Sequence, residues 1–450
     1  MKKSFKHLCN LNIKMETEIA HKGYSITLKN LPPHFLDIIK TELYVKPLEN
    51  PNFPSNESAY PVFRISQTKI YMPRYYGITK FGQPTKNKLG NGQKIDNFVD
   101  FQGTIRPLQQ ETIDRVFVNG EIVNGVISLD TGLGKTVVAL KLISLIKVKT
   151  LIIVHADFLL DQWISRIKQF LPNARIGVIK QERCEIDDTD IVIGMIQTII
   201  KREYPKGIFE SFGYLITDET HHLCSRTFSS LFYKVQPKYL TGLSATPERK
   251  DGLSKVLYWF LGPLLVNIKR ETDKPNVHFI FNDTQGYTEK FNKIGKVSIP
   301  EMITDLTLKF ERNQLILDNV SRLIKESRKI LILSERRENC EFFCKRLNEN
   351  GISSGLYLGG MKTLDRELST NCQVIVGTYQ AAGEGFDVAD LDTLILATPK
   401  SDVQQAVGRI LRQKNANEPL VIDIVDSFSI FKAQYYKRRR FYKSSEFILI

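Results

Sequence analysis

A regular alternation of short apolar runs with longer segments of helical periodicity dominates residues 104–266. The apolar runs are rich in Val, Ile and Leu and lie at 126–130, 150–156, 191–194, 214–219 and 240–246. Between them, apolar residues recur at helical spacing, which predicts helices at 135–146 and 158–170. Because buried strands separated by helices pair in parallel, this stretch predicts a parallel sheet with helices on both faces.

The same alternation returns after an irregular segment. The second series of apolar runs lies at 329–334, 353–359, 373–378, 392–398 and 419–426, and the helices predicted with it lie at 310–326, 336–350 and 402–412. A chain of 450 residues also exceeds the usual size of one domain. We therefore expect two tandem α/β domains, at 101–266 and 301–450, joined by a linker at 267–300.

Positive charge is concentrated at the two ends of the chain. The 63 lysines and arginines exceed the 49 acidic residues, which gives a formal net charge of +14. Residues 1–100 hold 15 basic against 8 acidic side chains, and residues 432–450 hold 6 against 1. We expect residues 1–100 to form a small, separate, basic domain that binds nucleic acid. The basic and aromatic segment 432–443 either grips nucleic acid or is a localisation-type basic run.

Several protein classes are excluded by composition. No apolar run reaches the length of a membrane span, and no hydrophobic block follows the basic start of the chain. Six cysteines contain no CxxC pair, so a disulfide framework or zinc ribbon is not expected. We expect a protein with reduced thiols and no membrane partner, inside a cell or a viral particle.

The strongest chemical signal is Asp-Thr-Gly-Leu-Gly-Lys-Thr at 130–136, between a predicted strand and a predicted helix. Its glycines let backbone N–H donors approach a phosphate closely. Lys135 can reach the β and γ phosphates of a nucleotide, and the Thr136 hydroxyl can bind Mg²⁺. Leu129 stands where the usual P-loop pattern has its first glycine. The residues expected around the phosphates are Thr131, Gly132, Leu133, Gly134, Lys135 and Thr136.

A carboxylate pair follows the strand that ends at Thr217, in the sequence Asp-Glu-Thr-His at 218–221. The carboxyl ends of parallel strands meet at one edge of a sheet, so this pair is expected beside the phosphate loop. Asp218 is expected to hold Mg²⁺, and Glu219 to orient and deprotonate the attacking water. His221 completes the motif, and we do not expect it to bind a metal.

A third signal, Gln-Ala-Val-Gly-Arg-Ile-Leu-Arg at 405–412, lies in the second α/β series. Arg409 and Arg412 are three residues apart and would share one face of a helix. Two guanidinium groups on one face suit a γ-phosphate that gains charge as it is transferred. With the phosphate loop on the other domain, we expect ATP to bind between two lobes.

In this order, the motifs of residues 104–412 resemble the superfamily 2 helicase core, which has two RecA-like domains. Arg106 and Gln109 resemble the adenine-reading segment of that family. The sequence at 218–221 resembles motif II of its DExH subgroup, and the sequence at 405–412 resembles motif VI. The resemblance implies ATP and Mg²⁺ as cofactors, and catalytic roles for Lys135, Asp218, Glu219, His221, Gln405, Arg409 and Arg412.

Other family motifs imply contacts with nucleic acid and with the nucleotide. The resemblance implies that Ser244 and Thr246 of motif III couple hydrolysis to nucleic-acid contact. Gly385 and Asp387 of motif V would contact the nucleotide. The nucleic-acid contacts implied are Gln197, Thr198, Arg249, Asp251, Gly359, Gly360 and Thr378. Among these, the short polar groups at strand ends can equally cap the helices that follow. Trp163 and Phe170 are expected in the core.

Within the superfamily, residues 243–253 and 357–362 resemble the XPB/UvsW-like branch. Residues 70–82 resemble the helicases of large cytoplasmic DNA viruses, including the poxvirus transcript-release helicase group. This branch implies ATP-driven 3′→5′ translocation on DNA. Its Arg-Glu-Asp element falls on residues 249–251, where Lys250 replaces the acid, so the resemblance does not carry duplex opening over to this chain.

The function expected from these observations is an ATP-dependent DNA helicase or translocase with a monomeric core. It would act in viral transcript release or in DNA repair, with RNA polymerase or a transcript as a further partner, in the host cytoplasm, viral factory or virion. A duplex remodeller without strand separation and an RNA helicase are the enzymatic alternatives. A degenerate core that only binds nucleic acid is the non-catalytic alternative.

Overall fold

The computed structural model describes residues 16–46, 59–95, 99–130, 132–220, 229–245, 252–269, 274–292, 295–383, 386, 388, 390–411 and 416–450. The chain divides into two compact units, residues 1–269 and residues 270–450. Among the described residues, no helix is both long and apolar enough to cross a membrane.

The first unit begins with a small sheet. Its elements are β1 (Thr17–Ala20), β2 (Gly23–Thr27), α1 (Pro33–Glu42), β3 (Tyr44–Val45), β4 (Tyr60–Pro61), β5 (Arg64–Ile65), β6 (Lys69–Met72), α2 (Arg74–Phe81) and β7 (Lys86–Asn87). The strand order is β5-β6-β2-β1-β7, and only the β1–β7 pair is parallel.

This N-terminal sheet does not form the separate domain that its composition predicts. Tyr24 and Ile70 belong to the same apolar core as Leu215 and Phe260 of the following α/β region. Because this core is shared, residues 16–46 and 59–95 are an extension of the first α/β fold.

The main sheet of the first unit has eight strands. Its elements are α3 (Pro107–Val116), β8 (Phe117–Val118), β9 (Glu121–Ile122), β10 (Gly125–Leu129), α4 (Lys135–Ile146), β11 (Thr150–Val154), α5 (Asp157–Phe170), β12 (Ile176–Lys180), β13 (Arg183–Cys184), β14 (Ile191–Met195), α6 (Ile196–Lys201), β15 (Tyr214–Thr217), β16 (Tyr239–Ser244), α7 (Ser254–Leu261) and β17 (Leu264–Ile268). The order is β13-β12-β14-β11-β15-β16-β10-β17, and only the β12–β13 pair is antiparallel. All five strands predicted for this region are confirmed.

The second unit repeats the architecture with seven parallel strands. Its elements are β18 (Asn276–Asn282), α8 (Ile299–Thr307), α9 (Phe310–Lys325), β19 (Ile330–Ser334), α10 (Arg337–Glu349), β20 (Ser354–Tyr357), α11 (Thr363–Thr370), β21 (Val374–Thr378), α12 (Tyr379–Gly383), β22 (Thr393–Leu396), α13 (Gln404–Val407), β23 (Leu420–Asp426), α14 (Ser429–Ser444) and β24 (Ile448–Leu449). The strand order is β20-β21-β19-β22-β23-β18-β24. The predicted α/β class with two tandem parallel sheets is confirmed.

Two predictions for this unit need correction. The segment 267–300, predicted as a linker, contains β18, which pairs with β23 along its whole length. Polar residues interrupt the apolar run of β18, so its sequence does not look like a buried strand. The helix predicted at 402–412 covers only Gln404–Val407 and continues as a turn, because Gly408 ends it and glycine is a poor helix former.

The basic and aromatic C-terminal segment is a helix whose inner face belongs to the core. Arg438 is buried, and its guanidinium makes two hydrogen bonds of 2.8 and 2.7 Å to the carboxylate of Asp423 on β23. The hydroxyl of Tyr442 donates to the same carboxylate at 3.0 Å. Part of this charged segment therefore stabilises the packing of the helix on the second sheet.

We expect Arg438→Gln to lower the free energy of unfolding by about 3 kcal/mol or more, because it leaves the buried carboxylate of Asp423 without its charged partner. Arg439→Gln, the matched control on the exposed face, should change it by no more than about 0.5 kcal/mol. Urea denaturation of the full chain measures both. Equal effects would contradict this interpretation of the ion pair.

Candidate nucleotide site

Three adjacent parallel strands of the first sheet end in motif residues. β10 leads into Asp130 and the phosphate loop, β15 leads into Asp218, and β16 lies between them and ends at Ser244. Their carboxyl ends share one edge of the sheet, which is where open α/β folds bind ligands. The strand order thus brings together motifs that are more than 80 residues apart in sequence.

The phosphate loop has the backbone geometry that an anion site requires. Gly132 and Gly134 have φ values of +83° and +89°, which side-chain-bearing residues rarely adopt. Gly134 caps α4, so the first backbone N–H groups of this 12-residue helix are available to a phosphate. Thr136 is in the first turn of the same helix. The ammonium group of Lys135 donates to the carbonyl oxygen of Leu129 at 3.1 Å.

Gln109 is buried against the loop. Its Oε1 accepts from the backbone N–H of Arg106 at 3.0 Å, and its Nε2 donates to the carbonyl of Leu133 at 3.1 Å. A Cβ atom on Gly134 would lie 2.2 Å from this Nε2. The amide of Gln109 therefore braces the phosphate loop, whereas the side chain of Arg106 is exposed.

The carboxylate of Asp218 is held by two neutral donors. Its Oδ2 accepts from the indole N–H of Trp163 at 2.9 Å, and its Oδ1 accepts from the backbone N–H of Glu219 at 3.0 Å. Burial raises the pKa of Asp218 to about 6, and the charge of Glu219 contributes to this rise, whereas Trp163 and Lys135 lower the pKa. This carboxylate lacks full compensation for its charge, so its chemistry fits a divalent cation such as Mg²⁺.

Glu219 has a strained backbone. Its φ of +47° lies in the left-handed region, where residues other than glycine are uncommon. His155, at the end of β11, is close enough for the charge of Glu219 to affect it, but burial dominates and lowers the pKa of the imidazole. Burial therefore disfavours the charged form of the His155 imidazole.

Trp163 is the site residue that sequence reasoning missed. It belongs to the apolar core of the first sheet, as expected, and only 1% of its surface is exposed. Its indole N–H nevertheless donates a hydrogen bond to the carboxylate of Asp218. The available signal was that a buried indole N–H usually needs an acceptor.

The residues of this unit that the sequence predicts to contact nucleic acid, or to couple that contact to hydrolysis, lie close to internal partners where the structure describes them. Gln197 donates from Nε2 to the carbonyl oxygen of His155 at 2.8 Å, and the hydroxyl of Thr198 accepts from the backbone N–H of Gln181 at 3.1 Å. Ser244 is fully buried at the end of β16. The hydrogen bond from Gln197 thus joins α6 to the end of β11. Helix α5 follows β11 and contains Trp163, which contacts Asp218.

In the second unit, a cavity of about 510 Å³ opens at the carboxyl ends of β19 and β21. Thr378 and the exposed Gln405 line it. The Thr378 hydroxyl accepts from the backbone N–H of Ala381 at 3.3 Å and so caps α12. Gly359 and Gly360 form an exposed turn after β20.

Arg409 is buried rather than extended into solvent. Its exposed fraction is 6%, and its Nη1 donates to the carbonyl oxygen of Phe386 at 2.8 Å. The predicted site residues outside the described part of the chain are Thr131, His221, Thr246, Arg249, Asp251, Gly385, Asp387 and Arg412.

Family models match both α/β regions. The model described as the res subunit of type III restriction enzymes matches residues 102–249, and the model for the helicase conserved C-terminal domain matches residues 312–414. Among solved structures, Dbp5 of S. cerevisiae bound to RNA and ADP BeF3 aligns with 76% of this chain and 89% of its own, with a TM-score of 0.52. At 11% identity this likeness shows the fold alone.

Viral proteins are similar over most of the chain. A protein of Acanthamoeba polyphaga mimivirus, named as an ATP-dependent RNA helicase, is 33% identical to this chain. The alignment covers 97% of this chain and 86% of the mimivirus protein. A protein of Invertebrate iridescent virus 6, named as a helicase, is 28% identical, and the alignment covers 93% of this chain and 97% of the iridescent virus protein. An African swine fever virus protein, also named as an ATP-dependent RNA helicase, is 29% identical, and the alignment covers 74% of this chain and 72% of the African swine fever virus protein.

Two RecA-like sheets, the first with a phosphate loop and the carboxylate of Asp218 at one edge, define a helicase core. The chain belongs to the superfamily 2 helicases of large DNA viruses. The predicted family is confirmed.

We expect Trp163→Phe to raise the Mg²⁺ concentration needed for half-maximal ATP hydrolysis by roughly tenfold to a hundredfold, the usual effect of removing a hydrogen bond to a metal ligand. Phenylalanine keeps the apolar ring but lacks the N–H donor to Asp218. Trp259→Phe, which alters the only other tryptophan, is the matched control. An unchanged Mg²⁺ requirement in Trp163→Phe would show that the bond does not position Asp218.

Proposed function

We propose that this helicase is an ATP- and Mg²⁺-dependent DNA helicase or translocase that moves 3′→5′. Its proposed work is viral transcription, including transcript release, or DNA repair and recombination. The observation that carries the ATP-dependent part is the edge of the first sheet, where the phosphate loop after β10 and the partly buried carboxylate of Asp218 after β15 lie at the same end of parallel strands that β16 separates. The DNA track and its polarity are supported by the sequence resemblance to the XPB/UvsW-like branch.

In this proposal, the residues of the first unit divide the chemistry of hydrolysis. Backbone N–H groups at the start of α4 and the ammonium of Lys135 bind the phosphates. Thr136 and Asp218 hold Mg²⁺, which neutralises phosphate charge when it is bound. Glu219 accepts the proton of the attacking water. From the second unit, Arg409 and Arg412 are proposed to stabilise the charge on the transferred phosphoryl group, as motif VI does in the family.

The second candidate function is an RNA helicase. Two of the viral relatives are named as ATP-dependent RNA helicases. A third possibility, translocation on duplex DNA without strand separation, is supported by Lys250 at the altered Arg-Glu-Asp element. RNA polymerase or a nascent transcript is the proposed further partner, and the host cytoplasm, viral factory or virion is the proposed location.

Steady-state ATP hydrolysis separates these candidates. The five conditions are no nucleic acid, single-stranded DNA, duplex DNA, forked DNA and RNA, at one fixed salt concentration. Strong stimulation by DNA with little by RNA is the expected result, and stimulation mainly by RNA would move the assignment to an RNA helicase. Strand displacement on the forked substrate then distinguishes a helicase from a translocase.

We expect Lys135→Ala and Glu219→Gln to reduce ATP hydrolysis by at least about a hundredfold while nucleic-acid binding is largely retained. The first variant removes the phosphate-binding ammonium, and the second removes the base without changing the size of the side chain. Lys141→Ala, on the same helix α4, is the control and should keep wild-type activity. Wild-type hydrolysis by either site variant would refute the site.

We expect the Mg²⁺ requirement to increase about tenfold for each pH unit below about 6. The pKa of Asp218 is raised to about 6 by burial, so below that pH a proton competes with Mg²⁺ for the carboxylate. An ordinary aspartate, with a pKa of about 4, would show this competition only in more acid solution. Half-maximal Mg²⁺ concentrations for ATP hydrolysis test this, after correction for the pH dependence of the Mg–ATP complex itself. A requirement that stays constant between pH values of about 6 and 5 would contradict the raised pKa.

A further inference from the structure

Helix α14 has an exposed face whose chemistry the fold does not use. Its buried side chains, including Arg438 and Tyr442, pack on the second sheet. On the outer face, Lys432, Tyr436 and Lys443 are exposed, and so are both arginines that follow Arg438. The basic run in the sequence is thus split between a structural arginine and a solvent-facing set.

The exposed cations Lys432, Arg439 and Lys443 form one stripe together with Tyr436. Positions 432, 436, 439 and 443 are separated by four, three and four residues, which places them on one side of a helix. Arg440 lies beside them. At 1.5 Å per residue the stripe is about 16 Å long, which spans several phosphate groups of an extended nucleic-acid strand.

Nearby acids are engaged elsewhere. The carboxylate of Glu446 is 2.7 Å from the ammonium of Lys274, and Glu289 accepts from the hydroxyl of Ser429. Asp423 is bound by Arg438 in the interior. Within the described ranges, no ion pair joins a carboxylate to the three cations of the stripe or to Arg440. The stripe therefore keeps its positive charge for an external anion.

Two exposed aromatic rings accompany these cations. Phe281 on β18 is 61% exposed and Tyr436 is 50% exposed. Both rings contact Tyr435, with centroid distances of 5.9 and 5.2 Å. Exposed rings beside a row of cations are the combination by which proteins stack bases and neutralise phosphates of single strands.

We propose that this face binds single-stranded nucleic acid, with phosphates along the cations and bases against the two rings. We call it the α14 surface, and it consists of Phe281, Lys432, Tyr436, Arg439, Arg440 and Lys443. The proposal deepens the proposed function, since it gives the motor a strand contact outside its family motifs. Single strands fit better than duplexes, because a duplex hides the base faces that the rings would stack on.

The charge contribution is tested by a variant with Lys432, Arg439, Arg440 and Lys443 changed to glutamine. The matched control changes four other exposed cations of the same unit to glutamine. These are Arg322, Arg337, Lys345 and Arg346. Each of these four forms an ion pair with a glutamate, at distances from 3.0 to 3.9 Å. Both variants carry the same net charge, so any difference between them reports position.

Binding of labelled oligothymidine and oligouridine of about 20 nucleotides is measured over a series of salt concentrations with the full chain. Removing one phosphate-binding cation reduces the magnitude of the slope of log K against log salt by about 0.7 on a single strand. For the α14 variant this magnitude should fall by roughly 2 to 3, and the control should keep the wild-type slope. The oligonucleotide that shows the larger change identifies the preferred strand. Equal slopes in the two variants would overturn the proposal.

The stacking contribution is tested by Phe281→Ala and Tyr436→Ala. Each should weaken single-strand binding by about fivefold or more, with a smaller effect on a duplex. Phe310→Ala is the control, because Phe310 is 65% exposed in the same unit but lies outside the α14 surface. Equal weakening for single strand and duplex would refute base stacking. ATP hydrolysis without nucleic acid should be unchanged in every variant, so failure here is distinguishable from failure of the proposed function.

Discussion

The nucleotide site depends on a partly buried carboxylate that two neutral donors hold in place. Asp218 accepts from the indole of Trp163 and from the backbone N–H of Glu219. Neither donor cancels the negative charge, whereas an arginine in place of Trp163 would compete with a metal ion for it. The molecule therefore orients this aspartate and keeps its charge available, at the cost of burying an ionisable group.

The rest of the first unit supports this arrangement. The order β15-β16-β10 brings the carboxylate and the phosphate loop to one edge, with the buried Ser244 between them. Helix α5 follows β11 and carries Trp163, and Gln197 donates a hydrogen bond to the carbonyl oxygen of His155 between this strand and this helix. Hydrogen bonds at the two ends of this segment therefore link Gln197, which the sequence predicts to contact nucleic acid, to the connection that carries Trp163 to the Asp218 carboxylate.

Local sequence patterns predicted most of the two sheets, because parallel strands are continuous apolar runs and helices between them have clear periodicity. Helix α4 begins and ends where the pattern placed it, at Lys135 and Ile146. Strand β18 was missed because its polar residues hide it, and it is recognisable only through its pairing with β23. The N-terminal sheet was misjudged because its core partners, such as Phe260, are distant in sequence.

The functional side chains and the buried Arg438 also divide into those that sequence patterns predict and those that only the structure identifies. Glycines and charged residues in the phosphate loop and in motif II predict chemistry from their types and spacing. The roles of Trp163, Gln109 and Arg438 depend on which atom each side chain reaches, and composition does not contain that information. Arg438 illustrates the point best, since it belongs to one basic run with Arg439 and Arg440 but is bound to a buried aspartate.

The most direct test of the central claim is the fluorescence of Trp163 itself. Trp259→Phe leaves Trp163 as the single tryptophan, with its N–H on the carboxylate of Asp218. Addition of Mg²⁺ with ADP should shift or quench its emission, and ADP without Mg²⁺ should have a much smaller effect. If nucleotide binding is verified independently and the emission with Mg²⁺ matches that without it, Asp218 does not hold the metal.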